Sequence, residues 1–331
     1  MHYEIACIPG TSQIVREELI EKLANAKVLS HKRDSLLIGR RASIEDLLSL
    51  RTTPNIFLVL PFEISRPKAL LGHEHMNRLI TAAKQALPSD CQSFRVEAAG
   101  KDTEVIQRIT SELQQALGLE YQAKTGDFVM RIRRGAQPTV WEVLFRISSR
   151  PLSVRSWRVK NFRGALDACL ANCIVRTLKP QANETLCDLM VGSGTFLAEA
   201  LSFGIPLHCI GVDLNPDTLM LAQANLGGTD VQLVHEDAQH TSFQDGQMDI
   251  IVANLPWGEA LGSQSELQTL YQQTLLESSR LLSSKGRACF VTQRKEQFME
   301  ALEGIESLKL DSMLKVELGG SFSPYLFNII K

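Results

Sequence analysis

The sequence predicts an α/β protein: small α+β modules in the N-terminal half, then a doubly wound parallel sheet in the C-terminal half. Three observations predict it. First, an apolar strand runs into a glycine turn that opens a helix, Asp188-Leu189-Met190-Val191-Gly192-Ser193-Gly194-Thr195-Phe196. Second, further apolar strands end in or near a polar residue at α/β spacing: Asp213 after Cys209 to Val212, Asp237 after Val231 to Val234, and Asn254 after Met248 to Ala253. In an open parallel sheet the carboxyl ends of the strands line one crevice, so these residues are expected to converge. Third, the first part of the chain alternates strand and helix over short spans, the pattern of smaller α+β units.

Taken in order, His2 to Ile8 alternates as a strand, Pro9-Gly10 turns, and Ser12 can cap a helix with Ile14, Leu19, Leu23 and Ala26 on one face. Strands are expected near Lys27 to His31 and Ser35 to Gly39. Ser43 with Asp46 forms a variant capping box opening a helix from Ile44 to Arg51, and Ile56 to Ile64 is an apolar strand broken by Pro61. The order βαββαβ over 1–66 is a ferredoxin-like unit with no catalytic constellation. A second module, 67–150, places helices at His75 to Leu87 and Thr103 to Leu117, and strands at Ser93 to Ala98, Phe128 to Arg133 and Thr139 to Ile147. After a connector, 151–162, the sheet domain runs over 163–331. Its βα units are Thr185 to Met190 then Thr195 to Phe203, Leu207 to Val212 then Pro216 to Asn225, Val231 to Val234, Met248 to Ala253 then Leu267 to Leu282, and Arg287 to Thr292 then Lys295 to Glu303. Met313 to Leu318 and Tyr325 to Ile330 complete it.

With 331 residues, 44% hydrophobic and 22% charged, the chain can bury more than one core. No apolar run approaches the roughly eighteen residues of a membrane span, and Glu4 with the early Pro9-Gly10 turn departs from a secretory leader. The expected location is the cytoplasm. Seven scattered cysteines make no disulfide framework. Cys169 and Cys173 lie i,i+4 but lack a third ligand at zinc spacing, and His73-Glu74-His75 has the wrong spacing, so no metal is expected. The net charge of −2 hides an asymmetry: Met1 to Lys160 carries 24 Lys+Arg against 17 Asp+Glu, the remainder 11 against 20. The excess concentrates between Lys124 and Arg163, with Phe128, Trp141 and Trp157 interleaved. Such a block suits a polyanion tracked along its backbone; a solvated basic face is the plainer alternative.

The glycine turn is a ligand cradle. Gly192 and Gly194 can take positive φ and admit a ligand close to the main chain, while the N–H groups of the new helix point at it. Leu197 stands where a dinucleotide fingerprint needs its third glycine, and no Lys follows as in a Walker loop, so a pyrophosphate grip is disfavoured.

Together, the cradle, the acids that follow it and Asn254-Leu255-Pro256-Trp257 resemble the class I S-adenosylmethionine-dependent methyltransferases. The last four residues resemble the N-[L/P]-P-[Y/F/W] box of enzymes that methylate exocyclic amines of nucleic-acid bases. Such an amine is a poor nucleophile because its lone pair is delocalised into the ring. Acceptors on its two N–H bonds, the Asn254 side-chain oxygen and a main-chain carbonyl near Leu255, favour a tetrahedral nitrogen, and Trp257 offers a stacking face. The 67–150 module, with its Ser93-Phe94-Arg95-Val96-Glu97 strand, resembles the RNA-binding THUMP domain. Arg150-Pro151-Leu152-Ser153-Val154-Arg155-Ser156-Trp157-Arg158 resembles the connector joining THUMP to a catalytic domain. The whole order is similar to the bacterial and archaeal enzymes that methylate N2 of guanosine 6 in the tRNA acceptor stem.

That resemblance implies S-adenosylmethionine as cofactor, held by Ala165, Leu166, Asp188, Gly192, Ser193, Gly194, Thr195, Asp213, Leu214, Asp237, Ala238 and Asn254. Asp213 would take the ribose hydroxyls, Asp237 the adenine amine with the Ala238 N–H facing the ring, and Asp188 the positive end. Each acid has a plainer role available: capping before Pro216, a turn carboxylate, or an anchor for the loop's own N–H groups. Asn254, Leu255, Pro256 and Trp257 would be catalytic. Arg131, Arg133, Arg134, Arg155, Arg158, Lys160 and Arg163 would hold RNA, the partner being the acceptor stem and 3′ end of tRNA bound by a monomer. Another tRNA position, ribosomal RNA, or a non-catalytic RNA-binding protein with a degenerate methyltransferase fold remain the alternatives.

Overall fold

The structure, a computed structural model, describes residues 2–39, 42–162, 164–258, 264–320 and 322–331. It divides into two units, 1–7 with 15–153 and 8–14 with 154–331.

The first unit is built on β1 (His2–Ala6), α1 (Ser12–Lys22), β2 (Val28–His31), β3 (Ser35–Gly39), α2 (Ile44–Leu48), β4 (Ile56–Glu63), α3 (His73–Ala86), β5 (Ser93–Ala98), α4 (Glu104–Leu117), β6 (Glu120–Tyr121), β7 (Phe128–Arg134) and β8 (Val140–Arg146). One eight-stranded sheet in the order β2-β3-β1-β4-β8-β7-β5-β6 takes strands from both expected modules. The seam is β4 against β8, paired from Phe57↔Arg146 to Glu63↔Val140. Pro61 does not break β4. Odd-numbered residues of β4 face β1, as the Ala6 N–H to Asn55 carbonyl bond shows, and β1 ends its pairing at His2↔Val59. The missing N–H of Pro61 therefore points where no ladder bond is made. The two-residue strand β6 and a 3-10 turn at Pro67–Leu71 carry too short a pattern to read from sequence.

The second unit continues with α5 (Ala168–Leu178), β9 (Thr185–Asp188), α6 (Thr195–Leu201), β10 (His208–Asp213), α7 (Pro216–Asn225), β11 (Val231–His235), β12 (Met248–Asn254), α8 (Gln264–Leu281), β13 (Leu282–Thr292), α9 (Lys295–Glu303), β14 (Lys309–Lys315) and β15 (Tyr325–Ile330). Its seven strands lie in the order β11-β10-β9-β12-β13-β15-β14. Pairing is parallel except at β15, which is antiparallel to both β13 and β14. The chain winds outward from β9 through β10 to β11, then returns to β12 on the other side of β9. That reversal is a topological switch point, where α/β sheets bind ligands. Leu186, Ile250 and Val252 pack on one face with α5, and Cys187, Ile251 and Ala253 on the other with α8. This alternation buries both faces, which is why these strands read as continuous apolar runs. The 8–14 segment belongs here too: Ile8 joins the core, and the Pro9 carbonyl accepts the Glu317 N–H at 3.1 Å.

Among the described residues no helix is long and apolar enough to cross a membrane. All seven cysteines are buried, and none forms a disulfide among the described residues.

Candidate active site

The turn after β9 is pinned on both sides of the switch point. The Leu189 N–H donates to Val252 O at 3.0 Å and the Val191 N–H to Val212 O at 2.8 Å. Gly192 and Gly194 have φ of +52° and +83°, and a Cβ on Gly194 would come within 2.7 Å of Leu226 Cδ1. Gly211 on β10 is required by the same turn, since a Cβ there would lie 2.8 Å from Val191 Cγ2. Asn225, buried at the end of α7, ties the turn to the connector. Its amide donates to Ser193 O at 2.9 Å and Lys160 O at 3.0 Å, and its oxygen accepts the Lys160 N–H at 2.8 Å. Ser193 Oγ is buried with no hydrogen-bond partner among the described residues.

Two residues assigned to RNA from sequence are instead parts of this framework. Arg158 donates to Leu166 O and Thr195 Oγ1, both at 3.0 Å, with its guanidinium 4.9 Å from the Trp157 ring centroid. It thus braces two segments assigned to the cofactor, and burial lowers its pKa. Arg155 pairs with Glu199 of α6 at 3.0 Å, with side-chain exposures of 8% and 0%. A guanidinium so enclosed cannot reach a phosphate. Glu199 also accepts from Trp157 Nε1 at 3.2 Å and Asn172 Nδ2 at 3.0 Å. The sequence does carry a signal for this pair: a lone carboxylate within the apolar Thr195-Phe196-Leu197-Ala198-Glu199-Ala200-Leu201 implies a buried partner.

Asp188 and Asp213 end β9 and β10 and Asp237 lies two residues past β11, each already holding main chain. Asp213 accepts from the Gly192 and Asn215 N–H groups, both at 2.9 Å, so it clasps the glycine turn from the neighbouring strand. Asp237 lies beyond the end of β11, bridged to His240, and accepts from the Gln239 N–H at 2.9 Å and its side-chain amide at 3.2 Å. Asp188 is buried and accepts the Met190 N–H at 3.2 Å. Burial pushes its carboxyl up to about 8, opposed by that hydrogen bond and reinforced by the charge of Asp213. Leu214 is exposed after β10, with its carbonyl held by His235 Nε2 at 2.8 Å, while Ala238 is buried. Ala165 follows Gly164, and its N–H donates to Phe162 O at 3.1 Å.

Asn254 ends β12 beside the cradle. Its Nδ2 donates to Gly164 O at 3.3 Å, which leaves Oδ1 buried with no donor among the described residues. Leu255 is buried and its N–H donates to Val291 O at 3.0 Å. The Trp257 ring lies 5.9 Å from that of Phe322, and its indole N–H is buried without an acceptor among the described residues. Unsatisfied buried acceptors are costly unless a ligand supplies the donor. Ser193 Oγ, within the positive-φ glycine turn, and Asn254 Oδ1, at the end of β12, fit a polar ligand lying along the strand ends.

The remaining cations of the basic block are divided. Arg133 bridges Glu4 and Glu142, 3.0 Å from the former and 2.9 Å from the latter, so its charge is satisfied within the first unit. Arg131 pairs with Glu97 at 2.8 Å, about two-fifths exposed. Arg134 and Lys160 are exposed, the former 5.3 Å over the Trp141 ring centroid. Arg163 lies outside the described residues.

Known proteins resemble this chain in sequence and fold. The tRNA (guanine(6)-N2)-methyltransferase of Thermus thermophilus is 28% identical over 100% of both chains. The human tRNA (guanine(6)-N(2))-methyltransferase THUMP3 is 28% identical over 47% of this chain and 34% of its own length, so this chain spans about a third of that relative. Among solved structures, TrmN from Thermus thermophilus superposes with a TM-score of 0.79 at 27% identity, covering 100% of this chain and 99% of the other. SMU.472, a putative methyltransferase crystallised with SAH, shares the fold at a TM-score of 0.70 and 18% identity, covering 99% and 97%. Residues 155–322 match the family model for the RMKL-like methyltransferase domain, and the chain belongs to that family, UPF0020.

Proposed function

We propose that this chain transfers the methyl group of S-adenosylmethionine to the exocyclic N2 of guanosine 6 in the acceptor stem of tRNA. The reading joins the activity for which its full-length relative is named to a site able to perform it. The single observation that carries it is the buried Asn254 Oδ1 at the switch point, which has no donor among the described residues.

S-adenosylmethionine supplies a methyl carbon made electrophilic by its sulfonium. The chain's own residues hold it and present the amine. The Gly192–Gly194 turn gives close main-chain approach, Ser193 Oγ a hydroxyl partner, and Asp188 a buried carboxyl whose raised pKa a positive ligand end would draw back down, so that it ionises as the ligand binds. Asp213 and Asp237 would exchange part of their present main-chain bonding for ribose and adenine. Asn254 Oδ1 and a neighbouring carbonyl accept the two N–H bonds of the guanine amine, drawing its nitrogen toward tetrahedral geometry without a strong base. Trp257 supports the unstacked base. The protein acts as a monomer in the cytoplasm, where the exposed cations of the basic block hold the acceptor stem and 3′ end.

Purified protein, labelled S-adenosylmethionine and a tRNA transcript test the proposal directly. Label recovered as N2-methylguanosine at position 6, and lost when that guanosine is replaced by adenosine, is the expected result. Label at another position would overturn the choice of nucleotide, and label in ribosomal RNA alone the choice of substrate. For the RNA surface, Arg134→Glu with Lys160→Glu is expected to weaken tRNA binding. The magnitude of the log–log salt slope should fall by about 1 for each cation–phosphate pairing removed. An unchanged slope in a filter-binding titration would place the RNA on other residues.

A further inference from the structure

The four-residue box at the end of β12 is gripped by side chains from outside it. Tyr271, fully buried on α8, lies with its hydroxyl 2.6 Å from Pro256 O and 2.6 Å from Thr292 Oγ1. A carbonyl only accepts, so the single phenolic proton goes to Pro256 O, and the Thr292 hydroxyl must donate to Tyr271 Oη. Thr292 Oγ1 also accepts the Arg294 N–H at 3.1 Å, and Arg294 Nε donates to Trp257 O at 2.8 Å. The chain of bonds therefore starts at one box carbonyl and closes on the next. Burial raises the Tyr271 pKa to about 12, so the phenol keeps its proton at neutral pH.

Occupation of these two carbonyls has a chemical consequence. Pro256 O and Trp257 O are taken by protein donors, whereas no donor among the described residues reaches Leu255 O. Leu255 is itself anchored through its N–H to Val291 on the adjacent strand. Of the carbonyls from Leu255 to Trp257, Leu255 O is thus left open, one residue from Asn254 Oδ1 and on a backbone that cannot rotate freely. We infer that Tyr271, Thr292 and Arg294 are positioning residues for methyl transfer, selecting Leu255 O as the partner of Asn254 Oδ1 and fixing the spacing at which the pair receives the base amine. The inference rests on the amine-methylating reading of this site. None of the three need touch the substrate. Their effect is to hold the acceptors to the sub-ångström tolerance on which oriented reactions depend.

The test compares Tyr271→Phe, Thr292→Val, Thr292→Ser and Arg294→Gln with the wild type in steady-state tRNA methylation. Binding of S-adenosylmethionine and thermal unfolding are measured on the same preparations. Tyr271→Phe and Thr292→Val are expected to lower kcat about 10- to 100-fold, with KM for tRNA and Kd for S-adenosylmethionine within about twofold. Thr292→Ser, which keeps the hydroxyl, should recover most of the rate. Exposed Arg294 can be altered without threatening the core, so Arg294→Gln should lower kcat in a fully folded protein. Unchanged kcat in these variants would overturn the inference, as would rate losses that merely follow the unfolded fraction or appear only in KM or Kd. A wild-type protein that makes no N2-methylguanosine would overturn the underlying functional reading and the inference with it. Active wild type beside unaffected variants overturns the inference alone.

Discussion

Asn254→Ala is expected to abolish methyl transfer, with kcat reduced about 10³-fold, while affinity for S-adenosylmethionine changes little. The side chain sits at the end of β12, its Nδ2 oriented by Gly164 O and its Oδ1 buried with no donor among the described residues. In the proposed complex that oxygen meets a bond whose polarity grows as the base nitrogen leaves the ring plane, so its stabilisation is largest in the transition state. Removing it therefore falls mainly on kcat. The cradle around Gly192 to Thr195 is held by β9, β10, α6 and the connector through bonds such as Gly192 N–H to Asp213 and Arg158 to Thr195, whereas among the described residues the Asn254 amide reaches only Gly164 O. Single-turnover methylation and equilibrium titration with S-adenosylmethionine measure the two quantities separately. Full activity in the variant would remove Asn254 from the mechanism.

Much of this site could be read from the chain because its logic is local. A glycine turn after an apolar strand and polar residues at successive strand ends need only strand periodicity and the geometry of a parallel sheet to be assembled. The cation surface was legible only in part, because charge along the chain says nothing of distant partners. Arg133 finds Glu4 across 129 residues and Arg155 finds Glu199 across 44. Both pairings depend on topology, and each removes a cation from the count available to RNA. Asn225, Tyr271 and Arg294 escape a sequence reading for the same reason. Each is ordinary in its own helix or loop and acquires its role from a main-chain group that another strand end delivers. Pro61 failed as a breaker because the neighbouring strand stops short of it, a fact of register rather than of composition.

Glu199→Ala is expected to destabilise the second unit by about 3–5 kcal/mol, the cost of stripping the partner from a buried cation. Arg155, 8% exposed, would lose the Glu199 carboxylate, and the indole N–H of Trp157 and the amide of Asn172 would lose an acceptor as well. Glu199→Gln should cost less, since it retains an acceptor oxygen for the neutral donors. Arg155→Met combined with Glu199→Leu should recover much of the loss, because a buried pair replaced by well-packed apolar groups leaves no uncompensated charge. Denaturant titration of that double variant, its two single parents and the wild type completes a double-mutant cycle, and a Glu199→Ala midpoint equal to wild type would show that the pair contributes nothing. The effect should also reach the ligand. Arg155 and Trp157 fasten the connector to α5 and α6 through Glu199, and the next cation, Arg158, braces Leu166 O and Thr195 Oγ1 at the edge of the cradle. In Glu199→Gln, where the fold survives, weakened S-adenosylmethionine binding with unchanged tRNA affinity is the expected signature of a connector that holds the cofactor site rather than the RNA.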